Sequence, residues 1–321
     1  MYRHHNKTSQ AVVTEAGKVN MPGKVCMVTG ANTGLGYEIS LILAGMGATV
    51  VLVCRNKHKG EEARKRMIAA TGNERIELIV ADLSSQESIR ELVHYFKSRY
   101  QKLHILVNNA GHISWNRQET IDGLEMTFAV NHLAPFLLTN LLLGPLQKAA
   151  ESDGEGRVVN ISSSAQRIGK INLADLQSTK KYHIMEAYAA SKLAMVITSN
   201  EFAQRLQETG ITVNCIGPGH MRTAFNSKAG GLSGIINTFP LSRWLIQNML
   251  EKPVAEAVQT PIYLATSPEL KGHTGLFYGD YCQRETPSRY VNNKELASQL
   301  WDISAQLTHI PSELTFNRED R

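Results

Sequence analysis

The run Lys24-Val25-Cys26-Met27-Val28-Thr29-Gly30-Ala31-Asn32-Thr33-Gly34-Leu35-Gly36 decides the fold. Residues 24–29 form an apolar, β-branched segment that reads as a buried strand. Residues 35–46 carry the period of an amphipathic helix. Between them stands T-G-x-x-x-G-x-G rather than G-x-G-x-x-G. A tight strand-to-helix turn favours residues without a Cβ. A backbone so stripped can approach a pyrophosphate, and the helix behind it offers free N–H groups and the positive end of its dipole. Gly30, Asn32, Thr33, Gly34, Leu35 and Gly36 are therefore candidate contacts for a dinucleotide. The plain alternative is a glycine-rich turn.

Reading outward, a second strand over 48–54 ends in Val53-Cys54-Arg55-Asn56-Lys57. A cofactor with a free ribose 2′-hydroxyl usually meets an acid at this point, and none is present. The planar fork of Arg55 suits a 2′-phosphate instead, which favours NADP(H) over NAD(H). The competing reading makes Arg55 an ordinary surface residue. Asp82 follows a third strand over 75–80, where it could bond an adenine edge or cap the helix starting near Ser84. Further strands are expected at 103–108, 157–161, 212–216 and 275–278. Helices are expected at 59–70, 86–100, 122–143, 186–208, 233–250, 253–265 and 294–307. Strands alternating with helices predict a single-domain α/β Rossmann fold. Its doubly wound parallel sheet has about seven strands with helices on both faces. Near-continuous apolar strands such as ATVVLVC fit burial on both faces. Residues 1–21 and 311–321 read as tails around a domain over 22–310.

Tyr188-Ala189-Ala190-Ser191-Lys192 sets a phenol and an ammonium four residues apart, on one face of a helix. A tyrosine, with a pKa of about 10, is a weak acid–base catalyst at neutral pH. A neighbouring cation stabilises the phenolate, and the pair suits proton delivery to a carbonyl oxygen. Spacing alone is weak, because Tyr290-Val-Asn-Asn-Lys294 matches too. That second copy has no serine cluster upstream and reads as coincidence. The first follows Ser162-Ser163-Ser164 at the end of the fifth strand, where parallel sheets place ligand-contacting groups. Asn131 stands in an uncharged helical stretch, where an unpaired amide is costly. It either holds a water linked to Lys192 or bonds neighbouring backbone.

Composition bounds the rest. Apolar residues make up 42% and charged residues 20%, a balance that supports a sizeable core. The net charge of +5 comes from scattered basic residues without interleaved aromatics, so no nucleic-acid partner is expected. Cys26, Cys54, Cys215 and Cys282 have no C-x-x-C spacing. They read as small buried hydrophobes in a reducing compartment, with no metal site and no disulfide frame. The first 20 residues lack the apolar core of a secretory signal. The uncharged stretch 126–147 contains Asn131, His132, Pro135, Asn140 and Pro145. It fits a buried helix better than a membrane span. A cytoplasmic protein without an integral span is expected, and peripheral membrane contact stays compatible with the sequence.

Taken in order, these residues resemble the short-chain dehydrogenase/reductase family over about 22–310. The matches are TGANTGLG from Thr29, DL at Asp82–Leu83, NNAG at Asn108–Gly111, and Asn131. They continue with Ser162–Ser164, YAASK from Tyr188, and PGHMRT from Pro218 to Thr223. The resemblance implies Tyr188 as general acid/base, with Lys192 holding the nicotinamide ribose and lowering the tyrosine pKa. It implies Ser163 orienting the substrate carbonyl and Asn131 anchoring a proton-relay water. Leu83, Asn108, Ala110, Gly111, Pro218, Gly219, Met221 and Thr223 would line the cofactor. VCRN, DGLEMTFAVNHLAPFLLTNLLL, INLADLQ and ELASQLWDIS look like the retinol dehydrogenase branch, as does the 25-residue separation of Ser163 from Tyr188. Membrane-bound members of that branch carry an N-terminal apolar anchor, and residues 1–21 hold no such run. The chemistry is therefore carried over without the substrate's name. Homodimers or homotetramers are common in the family.

The segment 221–250, with Ile235, Ile236, Phe239, Leu241 and Trp244 among glycines, reads as a substrate lid, or else as a packed helix or subunit contact. The expected activity is NADP(H)-dependent interconversion of a hydrophobic aldehyde or ketone and its alcohol. The alternatives are a non-catalytic NADP(H)-binding regulator and a light-dependent tetrapyrrole reductase-like enzyme.

Overall fold

The computed structural model describes residues 19–218 and 254–314. Seven parallel strands form one sheet in the order β3-β2-β1-β4-β5-β6-β7. They are β1 (Val25–Thr29), β2 (Thr49–Cys54), β3 (Ile76–Val80), β4 (Ile105–Asn108), β5 (Gly156–Ile161), β6 (Ile211–Ile216) and β7 (Phe277–Tyr278). The helices are α1 (Gly34–Gly45), α2 (Lys57–Thr71), α3 (Gln86–Arg99), α4 (Met126–Leu141), α5 (Leu143–Asp153), α6 (Ile184–Arg205), α7 (Gln259–Thr266) and α8 (Lys294–Leu307). A short turn, Val254–Ala257, precedes α7.

Both faces of the sheet are covered, as the apolar strands require. Cys26 and Val28 pack with Leu35, Ile39, Leu43, Met67 and Ile262 on one side. Met27, one residue out of phase, packs with Ile89, Phe96, Phe136, Leu137 and Phe202 on the other. Alternate side chains of a strand point to opposite faces, so this division follows from the sequence of β1 alone. Packing reaches beyond the expected limits of 22–310. Met21 is buried and its N–H donates to Met46 O at 2.7 Å. Near the other end, Trp301 Nε1 donates to Ser312 O at 2.7 Å.

The one long helix expected over 122–143 is instead a turn and two helices. Glu125 caps α4, its carboxylate oxygens accepting from Thr127 N and Phe128 N at 2.8 and 2.7 Å. Inside α4, Ala129–Leu133 is a π turn. At Leu142 the chain bends by 55° into α5. Pro145, with no N–H to return to the preceding turn, starts a new helix rather than extending the old one. No single helix among the described residues is long and apolar enough to cross a membrane. Of the strand expected at 275–278, Phe277 and Tyr278 pair in register with β6, and the contact extends through Gly275 N donating to Val213 O and Leu276 O accepting from Cys215 N, each at 2.9 Å. The segment expected as a helix at 253–265 is the turn Val254–Ala257 followed by α7. The segment 221–250, with its lid and its helix at 233–250, lies outside the described residues.

Candidate active site

The strand order reverses between β1 and β4, both leaving the sheet at their carboxyl ends. Side chains there are knitted by Thr29, whose Oγ1 accepts from Asn109 N and Ala110 N at 2.9 and 3.0 Å. Asn109 returns the contact: its Nδ2 donates to Thr29 O at 2.8 Å and Gly30 O at 3.4 Å. A Cβ on Gly36 would stand 2.4 Å from that Nδ2 and 2.5 Å from Gly30 O, so no larger residue fits. Gly30 itself adopts φ +66°, which suits glycine. The loop is thus shaped by a side chain of the neighbouring strand. Asn109, absent from the expected set, is its clamp. The second Asn of NNAG carried the signal.

The loop ends at Thr33, the N-cap of α1, which makes no side-chain capping bond. The first amides of α1 therefore keep their donors, beside a loop too narrow for a Cβ, and the set fits a diphosphate. Arg55, at the end of β2, has a side chain 75% exposed, and its only ion pair among the described residues is a loose 3.9 Å contact with Asp82. Asp82 Oδ1 accepts from Ser84 N and Ser84 Oγ at 3.0 and 2.7 Å, while Ser85 caps α3. Asp82 therefore shapes the turn, and Leu83 beside it is partly exposed. Asn108 turns into the core, its Nδ2 donating to Asn160 Oδ1 at 2.7 Å and Thr139 Oγ1 at 3.2 Å.

Deeper in the cleft, α6 carries Tyr188 and Lys192 beneath the tip of β5. Lys192 is 4% exposed, and its Nζ donates to Ile161 O at 2.9 Å. The same Nζ lies 6.0 Å from the Tyr188 ring centroid. Burial brings the Lys192 ammonium down to about 8. Burial also raises the Tyr188 phenol, and a hydrogen bond with Ser163 acts in the opposite direction. The expected depression by Lys192 is thus not what sets this phenol. Ser163 Oγ also accepts from Ala165 N at 3.2 Å, which starts the turn Ser164–Arg167.

Asn131, on the π turn, is fully buried. Its Oδ1 accepts from His112 N at 2.7 Å, and its Nδ2 donates to His112 O at 2.9 Å and Ser191 Oγ at 3.0 Å. The side chain thus braces the His112 backbone and the Ser191 hydroxyl. A Cβ on Gly111 would stand 3.5 Å from Asn131 Oδ1 and 3.8 Å from Lys192 Nζ, so the end of NNAG meets both residues. Tyr188, Lys192, Ser163, Asn131 and Gly111 are thereby brought to one cleft, next to the glycine loop. Pro218 is buried beyond β6. Gly219, Met221 and Thr223 lie outside the described residues. No group of three or more metal-ligating side chains occurs among the described residues.

Residues 24–231 match the sequence profile of the short chain dehydrogenases. The chain belongs to the short chain dehydrogenase family. It is therefore an oxidoreductase of a class that uses nicotinamide dinucleotides. Retinol dehydrogenase 12 of Mus musculus is 39% identical over 295 residues, covering 92% of this chain and 89% of that protein. Retinol dehydrogenase 13 of Homo sapiens is 39% identical over 293 residues, covering 90% and 86%. Among solved structures, Pseudomonas aeruginosa RhlG in an NADP active-site complex superposes with a TM-score of 0.65 at 25% identity, over 81% of this chain and 96% of that one. A short chain dehydrogenase of Escherichia coli CFT073 complexed with NADPH gives 0.63 at 26% identity, over 81% and 98%. Within the family, this chain is retinol dehydrogenase-like.

Proposed function

We propose that the protein interconverts a hydrophobic aldehyde or ketone and its alcohol with NADP(H). The observation that carries the reading is the meeting of Ser163, Tyr188 and buried Lys192 at the mouth of the glycine loop. When bound, the cofactor supplies or accepts the hydride. The chain's own residues handle the proton and the oxygen.

In reduction, Ser163 Oγ donates a hydrogen bond to the substrate oxygen, and Tyr188 Oη releases its proton to that oxygen as negative charge develops. A phenol raised by burial stays protonated through neutral pH, which suits the acid in this direction. Lys192 uses one of its three donors on Ile161 O, and two remain for the ribose and the relay. The positive charge beside the phenol favours the phenolate that proton release leaves behind. Asn131 holds the π turn against His112 and so fixes one wall of the relay. Arg55 would hold the 2′-phosphate of the cofactor. Support for NADP(H) comes from its exposed guanidinium and from relatives described with NADP and NADPH.

The test is NADPH oxidation with a panel of medium-chain aldehydes and ketones, and NADP reduction with the matching alcohols. Turnover with apolar members and not with small polar ones is the expected result. Tight NADPH binding without turnover across the panel would point to the regulatory alternative.

A further inference from the structure

His132 follows Asn131 directly and takes no part in the chemistry above. Its ring is enclosed between Phe128 and Phe136, at centroid distances of 4.8 and 6.1 Å. Its Nε2 lies 2.8 Å from Ser304 Oγ on α8, 172 residues along the chain. Ser304 donates its single hydroxyl hydrogen to Leu300 O at 2.6 Å. The hydroxyl oxygen is therefore the acceptor toward His132, and the ring proton sits on Nε2. Nδ1 is left as a lone-pair acceptor, buried with no hydrogen-bond partner among the described residues. A phenylalanine would fill the same space without stranding a polar atom, so packing alone gives no reason for histidine here.

The π turn supplies the reason. Ala134 N reaches back five residues to Ala129 O. Such a turn is rare overall and frequent at functional sites. Two consecutive residues grip this one. Asn131 ties it to His112 and Ser191 on the cleft side. His132 ties it to α8 on the other. Relaxation to ordinary α geometry, one residue per roughly 100°, would swing the Asn131 amide away from His112.

We propose that His132 is a positioning residue: its bond to Ser304 keeps the π turn in register from the C-terminal helix and thereby sets where Asn131 stands. The effect on turnover rests on the proposed carbonyl–alcohol activity. The effect on Asn131 does not.

The full-length protein tests it by NMR hydrogen exchange at the His112 amide, whose hydrogen is held by Asn131 Oδ1. His132→Phe keeps the ring between Phe128 and Phe136 and removes the donor. His112 exchange should rise about tenfold, the worth of roughly one hydrogen bond, while β4 amides such as Leu106 keep their rates. His132→Gln, with an N–H near the reach of Nε2, should recover part of the protection. Ser304→Ala removes the same bond from the other helix and should reproduce the rise, which keeps the test open if His132→Phe folds poorly. In turnover, kcat should fall about tenfold by the same bond's worth, with the KM for NADPH unchanged. Wild-type exchange at His112 in both variants overturns the proposal. So does a rise shared equally by the β4 amides, which marks general loosening. If the wild type turns over no carbonyl compound, the proposed carbonyl–alcohol activity fails, and His112 exchange still decides the role of His132.

Discussion

Tyr188–Lys192 and Tyr290–Lys294 share a spacing and nothing else. The first pair lies within α6, with Lys192 buried against Ile161 O. The second straddles a boundary: Tyr290 is in the turn Arg289–Asn292, and Lys294 is the exposed first residue of α8. Their phenols are displaced in opposite directions. Burial raises Tyr188, whereas a hydrogen bond and the charge of Arg289, stacked 5.3 Å over the ring, lower Tyr290. A depressed phenol is therefore no mark of the tyrosine proposed as the acid here. What distinguishes the first pair is a buried cation beside a serine, at the carboxyl end of a parallel strand.

The largest effect should come from Tyr188→Phe, which removes the proton and keeps the ring. Turnover should fall by about 10³-fold, within the range for general acid–base groups, with NADPH affinity held. Stopped-flow and binding titration check both. Unchanged turnover would erase the contrast between the pairs. Lys192→Met should cost roughly 10²-fold, and the wild type should show a matching pH limb. Lys192 loses its charge as pH rises through about 8, while raised Tyr188 keeps its proton. Reductive kcat should thus be flat at neutral pH and decline above about 8. A flat profile to pH 10 would detach Lys192 from the chemistry. Arg55→Ala should narrow the preference for NADPH over NADH by about 10-fold or more, the scale of a charge-assisted phosphate contact. Equal affinity for both in the wild type would remove Arg55 from the site. Tyr290→Phe, the smallest, removes only the hydroxyl of a partly buried ring and should leave turnover within about twofold.

Much of this was legible in the order of the residues. The βα alternation set the sheet, and 294–307 matched α8 at both ends, because a 3.6-residue apolar period survives tertiary context. The bend at Leu142 is not legible in the sequence: Pro145 stands within one uncharged run, yet it lies in the first turn of a second helix. The glycines were found, but not Asn109, whose bonds to Thr29 and Gly30 span about 80 residues. Asn131 was found, but not Ser191, 60 residues away. The direction of the Tyr188 shift was missed for the same cause. Burial is a property of the packed molecule, and spacing along a helix reports only the neighbour's charge.

The seam between β1 and β4 has a consequence for folding. Strands β1 to β3 pair within residues 25–80, through short crossovers. The two halves of the sheet join at three β1–β4 residue pairs, flanked by His104 Nδ1 accepting from Val25 N at 2.9 Å and by the Thr29–Asn109 clamp. Closing that seam brings together segments some 80 residues apart, late and slow in topological terms. A ligand laid across it binds only the joined form. At a hundredfold excess over its dissociation constant such a ligand adds about 2.7 kcal/mol to stability. The cellular supply of dinucleotide then governs how long a molecule of this protein survives unfolding, apart from how fast it works.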